Sequence, residues 1–138
     1  MTPDGIDRIK LDEGLRLKPY KDTAIPPKLT IGFGLNLDAG ITKEEAEWLL
    51  LNRLSKLEST LEHHIIWSSL NNARRDVLLN MAYNLGLDGL YKFNRFFQRL
   101  SMRDYQRAAD EMLDSVWSAQ VGERAHRLAD IMRMGVYK

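Results

Sequence analysis

The sequence has no cysteine among its 138 residues. Disulfide bonds and thiol nucleophiles are therefore excluded, and the fold does not depend on the redox state of its surroundings. Long apolar runs are also missing. The longest one, Trp48–Leu51, is far shorter than the roughly 20 residues that a membrane-spanning helix needs. Because no apolar signal segment opens the chain, we expect neither stable membrane insertion nor export by a signal of its own.

A strong charge of one sign is missing too, because the formal net charge at pH 7 is only +1. A stripe of arginines at four-residue spacing nevertheless suggests a small helical nucleic-acid binder: Arg95, Arg99, Arg103 and Arg107. A predicted change of helix at Ser101 interrupts this stripe, and a near-neutral chain does not fit binding driven by phosphate charge. We therefore predict no nucleic-acid partner.

Histidine is scarce, with three residues in the chain. His63 and His64 are adjacent, so on a helix they point in different directions and lack the i, i+4 spacing of a helical zinc site. His126 has no candidate ligand beside it in the sequence. We predict no metal site and no cofactor.

The apolar pattern predicts a mostly helical single domain. Thr2 and Pro3 begin a short helix, Ile6, Ile9 and Leu11 give it a rough apolar face, and Gly14 ends it so that Glu13 is its last residue. Thr42 and Glu45 form a capping box. Later helices are predicted by apolar residues at helical spacing over about 42–64, 70–85, 90–100, 102–115 and 124–134. In the helix over 70–85 the inward residues are Val77, Leu78, Met81, Ala82 and Leu85, Gly86 ends the helix, and 87–89 form a turn.

The segment between the first two helices has the pattern of extended chain. Residues alternate between apolar and polar from Leu17, Pro26 and Pro27 predict a loop, and 28–31 reads as a second strand. Residues 35–40 are predicted to be a loop. The fold class is therefore α+β, mostly α-helical, with a small β-hairpin or sheet.

Two carboxylates flank the first strand, Glu13 and Asp22, and Thr30 follows in the second strand. A carboxylate at a helix C-terminus is disfavoured by the partial negative charge there, so Glu13 calls for a functional reason. Glycoside hydrolysis uses one protonated acid and one ionised carboxylate. On residue type alone, however, Glu13 also fits a surface position, Asp22 a turn and Thr30 an ordinary strand.

The run of residues 12–23 (DEGLRLKPYKDT), followed by 30–34 (TIGFG), resembles the catalytic signature of the T-even bacteriophage type of lysozyme, the phage endolysin muramidases. Further fragments resemble the family in the same order along the chain: Ile41–Glu47, Arg74–Arg75, Asn80–Met81, Trp117 and Arg124–Ala125. The resemblance therefore extends over nearly the whole chain. It implies a single lysozyme-like domain with a small lobe at about 14–41, a connecting helix at about 42–64 and a helical lobe at about 65–138 that includes the N-terminal helix, with a substrate cleft between the lobes.

The resemblance also implies an activity and its catalytic residues. The protein would be a glycoside hydrolase that cleaves the β-1,4 bond between N-acetylmuramic acid and N-acetylglucosamine in peptidoglycan. Glu13 would be the proton donor, Asp22 the second carboxylate, and Thr30 would help hold the attacking water in an inverting mechanism. The interval from Asp22 to Thr30 is longer than in the family, and Leu35 stands where the family often has histidine.

Three further residues match family positions that bind substrate. Tyr83 and Asn84 correspond to cleft-lining positions, and an aromatic face with an amide suits a sugar ring. Arg124 corresponds to an arginine that approaches the catalytic glutamate. On residue type alone Tyr83 could equally be a core residue and Arg124 a surface residue, and Trp117 fits the core better than a sugar platform.

By analogy with phage endolysins, we expect a monomer made in the host cytoplasm and released by a separate holin-type protein. It would act on peptidoglycan in the periplasm during host cell lysis, without a separate wall-binding domain. Two alternatives come from other functional classes. A lytic transglycosylase uses one acid and the substrate's own hydroxyl, and Asp22 with Thr30 argues against it. A non-catalytic wall-binding module would not need all three catalytic residue types.

Overall fold

The computed structural model describes residues 1–137, and Lys138, the last residue of the predicted helical lobe, lies outside that range. Within residues 1–137 the chain forms seven α-helices, one 3-10 helix and one three-stranded antiparallel sheet in the order β1-β2-β3. This confirms the predicted lysozyme-like α+β fold with a helical majority.

The elements follow one another from the N-terminus in this order: α1 Pro3–Glu13, β1 Arg16–Lys21, β2 Leu29–Gly32, β3 Leu35–Asn36, α2 Lys43–Leu61, a 3-10 turn Trp67–Ser69, α3 Asn72–Tyr91, α4 Asn94–Ser101, α5 Tyr105–Leu113, α6 Val116–Val121 and α7 Glu123–Met134. The backbone forms two compact units, Met1–Trp48 and a second unit from Leu49 onward. The boundary falls inside α2, and the lobe limits that the resemblance implies stay predictions.

Helix α1 has the predicted ends. The Thr2 hydroxyl accepts a hydrogen bond from the Gly5 backbone N–H at 3.2 Å, and Pro3 occupies the first turn. Gly14 ends the helix with φ +72°, a conformation that favours glycine. Glu13 is therefore the last residue of α1, as predicted.

The sheet has one more strand than predicted. Strands β1 and β2 pair so that Tyr20 lies opposite Thr30, and β2 pairs with β3 so that Thr30 lies opposite Asn36. The prediction of a loop over 35–40 was wrong at its start, because Leu35 and Asn36 form β3. Gly32 and Gly34 both have positive φ, so the two residues between β2 and β3 can reverse the chain within a tight hairpin.

The first unit has almost no core. Within Met1–Trp48, Thr30 is the only buried residue, with 4% of its surface exposed. The apolar face expected for α1 is not buried, since Ile6, Ile9 and Leu11 are all exposed. Hydrogen bonds at helix caps and loops therefore contribute much of the order in this unit.

Helix α2 begins with the predicted capping box. The Thr42 N–H donates to Glu45 Oε1 at 2.9 Å, and the Glu45 N–H donates to Thr42 Oγ1 at 3.1 Å. The helix ends at Leu61 and not at His64. His64 Nδ1 accepts the backbone N–H of Ile66 at 3.3 Å, so this side chain stabilises the turn that follows the helix.

Helix α3 is the centre of the second unit. Of its predicted inward residues, Val77, Leu78, Met81 and Ala82 are buried, and the fifth, Leu85, is partly buried against the core. Gly86 is non-helical (φ 76°, ψ 161°), so the predicted break is present. The turn predicted at 87–89 was wrong, because the helical conformation resumes after Gly86 and continues to the end of α3.

The core of the second unit also includes residues of the 3-10 turn and of helices α4 to α7. Its largest fully buried side chains are Phe96, Leu61, Leu78, Met81, Leu90, Leu100, Met112, Met132 and Val77. Trp117 is buried as well, in agreement with its interpretation as a core residue.

Arg74 fixes the end of α7 to α3. Its Nε donates to the Met132 carbonyl at 2.8 Å, and its guanidinium stacks on the Tyr105 ring at 3.7 Å. These bonds satisfy a helix C-terminus that would otherwise have unpaired carbonyl groups. Arg74 is therefore a structural residue.

The arginine stripe does not lie on one helix. Arg95 and Arg99 belong to α4, which ends at Ser101, whereas Arg107 belongs to α5. The helix change predicted at Ser101 is therefore present. Throughout residues 1–137, no helix is both long and apolar enough to cross a membrane.

Leu78→Ala should lower the free energy of unfolding by about 2–5 kcal/mol, because Leu78 is completely buried and its loss leaves a cavity. Leu51→Ala is the matched control, since Leu51 also lies inside a helix but is 66% exposed, and it should change stability by less than about 0.5 kcal/mol. Urea denaturation of both variants measures the difference. Equal losses would contradict the described core.

Candidate active site

Glu13 lies at the C-terminal end of α1 with its carboxyl group against the backbone of Gly34. A Cβ atom built on residue 34 would lie 2.7 Å from Glu13 Cδ and would also collide with Oε2. Gly34 has φ +75° as well. Position 34 therefore favours glycine for two independent reasons, and one of them is the room that the Glu13 carboxyl group needs.

Asp22 closes the loop between β1 and β2. Its Oδ1 accepts the Ala24 N–H at 3.0 Å and the Lys28 N–H at 2.8 Å, while its own N–H donates to the Lys28 carbonyl at 2.9 Å. The bond to Ala24 is the turn contact expected of an aspartate at such a position. Asp22 is thus a turn residue, and its side chain also joins the two ends of the long loop.

The same hydrogen bonds favour the ionised form of Asp22. The Lys28 backbone N–H is the largest cause of a lowered pKa, with further lowering by the Ala24 N–H, by the positive charge of Lys28 and by the hydroxyl of Thr30. Partial desolvation of the carboxyl group opposes these effects without reversing them. Asp22 is therefore held as a carboxylate.

Thr30 lies beside Asp22 in the middle of the sheet. Its backbone is paired on both sides, with Tyr20 and with Asn36, and its hydroxyl donates to the Lys28 carbonyl at 3.2 Å. Because Thr30 is buried and interacts with the Asp22 carboxylate, the structure brings these two predicted site residues together. The longer loop between them leaves this contact in place.

In the second unit, Arg124 is held by Asn80, which the sequence analysis named only as part of a family fragment and not as a site residue. Arg124 Nε and Nη2 both donate to Asn80 Oδ1, at 3.0 and 2.6 Å. Two bonds to one amide oxygen fix the plane of the guanidinium group. Asn80 and Asn84 are four residues apart on α3 and so share one helix face, a spacing that marks Asn80 as a candidate.

Asn84 and Tyr83 have different surroundings. Asn84 Oδ1 accepts a hydrogen bond from the indole Nε1–H of Trp117 at 2.8 Å, which fixes the amide and directs its NH₂ group away from that bond. Tyr83 is 46% exposed. It is therefore not a core residue, and its ring is open to a ligand.

The described residues contain no group of three or more His, Asp or Glu side chains that could hold a metal ion. His64, one of the adjacent histidines considered above as metal ligands, instead packs its ring against the ring of Phe97, with the ring centroids 4.9 Å apart. Of the acidic side chains discussed above, Asp22 instead accepts hydrogen bonds from backbone N–H groups.

Comparison with known proteins identifies related sequences. The profile of the phage lysozyme family matches residues 10–131. A probable T4-type lysozyme of Dictyostelium discoideum is 26% identical over 94% of this chain and 93% of its own length. An endolysin of Salmonella phage P22 is 28% identical over 82% of this chain and 81% of its own.

The pre-baseplate central spike protein Gp5 of Enterobacteria phage T4 is 30% identical over 94% of this chain. This chain spans only 27% of that protein's length. The similarity to the spike protein is therefore a similarity to one part of it.

The contact of Glu13 with residue 34 can be tested by a pair of glycine variants. Gly34→Ala should displace the Glu13 carboxyl group, and crystal structures of the variants would measure the displacement. Gly32→Ala is the matched control, because Gly32 has a similar positive φ of 67° and no atom within 4 Å of the added Cβ. Both variants should lose stability through backbone strain. Glu13 in the same position in both would contradict the steric role of residue 34.

Asp22→Asn tests the electrostatic description of the loop. Because the folded-state pKa of Asp22 lies below its ordinary value of 3.8, the ionised group stabilises the fold above that pH, and this contribution is lost as pH falls through the folded-state pKa. We expect the wild type to exceed Asp22→Asn in stability at neutral pH, and the difference to shrink as the pH falls below 3.8. Urea denaturation across this range measures it. A difference independent of pH would contradict the lowered pKa.

Proposed function

The chain belongs to the phage lysozyme family, and we propose that it is a peptidoglycan hydrolase of the endolysin type. Specifically, it would be a muramidase that hydrolyses the β-1,4 bond between N-acetylmuramic acid and N-acetylglucosamine. The family match and the endolysin names of its relatives support the general activity. The bond cleaved and the mechanism are inferences from the site.

The observation that carries the proposal is that the two carboxyl groups have different surroundings. Asp22 accepts two backbone N–H bonds, which lower its pKa and keep it ionised. Glu13 lies at the C-terminal end of α1 with its carboxyl group against Gly34. Glycoside hydrolysis uses one carboxyl group as the acid and the other as the base or cation stabiliser, and the ionised Asp22 suits the second role, which leaves the first to Glu13.

In the proposed reaction Glu13 donates its proton to the glycosidic oxygen as the bond to the anomeric carbon breaks. Asp22 accepts a proton from a water molecule, and Thr30, beside Asp22, orients that water. The water oxygen attacks the anomeric carbon from the face opposite the departing sugar, so the configuration inverts. The departing sugar keeps the proton from Glu13, and the anomeric carbon of the other product gains the hydroxyl group of the water. Asp22 ends protonated and Glu13 ends ionised.

The second unit would supply substrate binding. The exposed ring of Tyr83 suits stacking against a sugar face, and the NH₂ group of Asn84 suits donation to a sugar acyl or hydroxyl oxygen. Arg124, oriented by Asn80, would bind a polar group of the glycan. Asn80 would then act through Arg124 as a positioning residue.

Glu13→Gln should abolish clearing of purified Gram-negative peptidoglycan, with a loss of about 10²–10⁴-fold, because glutamine cannot donate the proton. Glu44→Gln is the matched control, since Glu44 is an exposed carboxylate of the same unit in the first turn of α2, and it should clear at the wild-type rate. Turbidity decay measures clearing, and circular dichroism verifies that the variants are equally folded.

Product masses distinguish hydrolysis from transglycosylation. The proposed reaction leaves a reducing end that contains the elements of water, whereas a lytic transglycosylase leaves an anhydro end that lacks them. Anhydro products would contradict the role of Asp22 and Thr30. A well-folded wild type that clears no peptidoglycan would contradict the hydrolase itself and favour a wall-binding module.

A further inference from the structure

Helices α2 and α3 border a groove of about 560 Å³ in the second unit, and its only charged lining residues among those described are basic. Arg53, Lys56 and Thr60 line it from α2, and Tyr83 and Gly86 line it from α3. The break at Gly86 interrupts the helical backbone at this wall. The groove thus places two cations near an exposed aromatic ring.

The cationic side chains of Arg53 and Lys56 have no acidic partner within residues 1–137. Arg53 and Lys56 are three residues apart on α2, so they are neighbours on one helix face. No acidic residue of α2 lies three or four positions from either one, and neither takes part in an ion pair within residues 1–137. Adjacent like charges weaken a helix, and an anionic ligand would remove that cost.

We propose that this groove binds a carboxylate of the peptide stems of peptidoglycan. The inference rests on the proposed function, because it assumes that the glycan bound at Tyr83 is peptidoglycan. The sugar rings of that polymer are uncharged, whereas the peptides attached to its muramic acid carry free carboxylates. An aromatic ring for the sugar and two adjacent cations for its anionic substituent match this arrangement of substrate groups.

The test compares the double variant Arg53→Gln/Lys56→Gln with the wild type on soluble glycan strands that carry intact peptide stems. We expect KM to rise about fivefold to tenfold with kcat unchanged, as the loss of two partly exposed ion pairs implies. Added salt should raise the KM of the wild type more than that of the variant. Arg103→Gln/Arg127→Gln removes the same charge from exposed positions of the same unit that do not line the groove, and should leave KM unchanged.

Strands stripped of their peptides by an amidase identify the carboxylate. Amidase cleavage removes every peptide carboxylate and frees the lactyl carboxyl group of muramic acid, which is bound as an amide in intact strands. The wild type and the groove variant should have the same KM on the stripped strands. An equal rise on both kinds of strand would show that the groove does not depend on a peptide carboxylate and would overturn the peptide-stem proposal. An unchanged KM on intact strands would overturn it as well.

A binding measurement separates this proposal from the hydrolase proposal. In the Glu13→Gln background, cosedimentation with peptidoglycan sacculi should weaken about fivefold to tenfold when Arg53 and Lys56 are also replaced. If the wild type proves to have no hydrolytic activity, this measurement still tests whether the groove binds peptidoglycan. Unchanged cosedimentation would then overturn the groove proposal by itself.

Discussion

The close approach of the Glu13 carboxyl group to the backbone of residue 34 is the constraint on which the first unit depends. Helix α1 must end at Gly14 to place Glu13, and the hairpin between β2 and β3 must present a residue without a side chain at position 34. Glycine meets the second requirement and also adopts the positive φ of the hairpin. The position of the proposed acid therefore depends on two glycines that are distant in sequence.

This constraint operates in a unit that has little hydrophobic core. With Thr30 as the single buried residue of Met1–Trp48, polar contacts determine much of the local geometry. Asp22 illustrates the consequence. The N–H groups that close its loop also stabilise its negative charge, so the contacts that order the backbone keep the carboxylate ionised for the proposed chemistry.

The second unit uses a different principle. A continuous apolar core around α3 fixes its helices, and polar side chains on the surface of that core are held by one another. Asn80 holds Arg124, and Trp117 holds Asn84. Because α3 is anchored by Val77, Leu78 and Met81, its polar residues occupy defined positions. A rigid helix can therefore present the proposed substrate-binding groups Tyr83 and Asn84 at a fixed spacing.

The sequence alone determined the features that depend on local chemistry. The ends of α1, the capping box of α2, the break at Gly86 and the inward face of α3 were all predicted, because caps, glycines and periodicity act within a few residues. The resemblance supplied the family, which the comparison confirmed. The roles of Glu13, Asp22 and Thr30 in catalysis stay predictions.

Other features were decided only by the tertiary structure. Arg74 of α3 donates to the carbonyl of Met132 in α7, which lies 58 positions away in the sequence. The contact of Asn80 with Arg124 joins residues 44 positions apart. The basic groove is lined by residues of both α2 and α3. Local patterns cannot predict such contacts, because they form only when packing brings distant segments of the chain together.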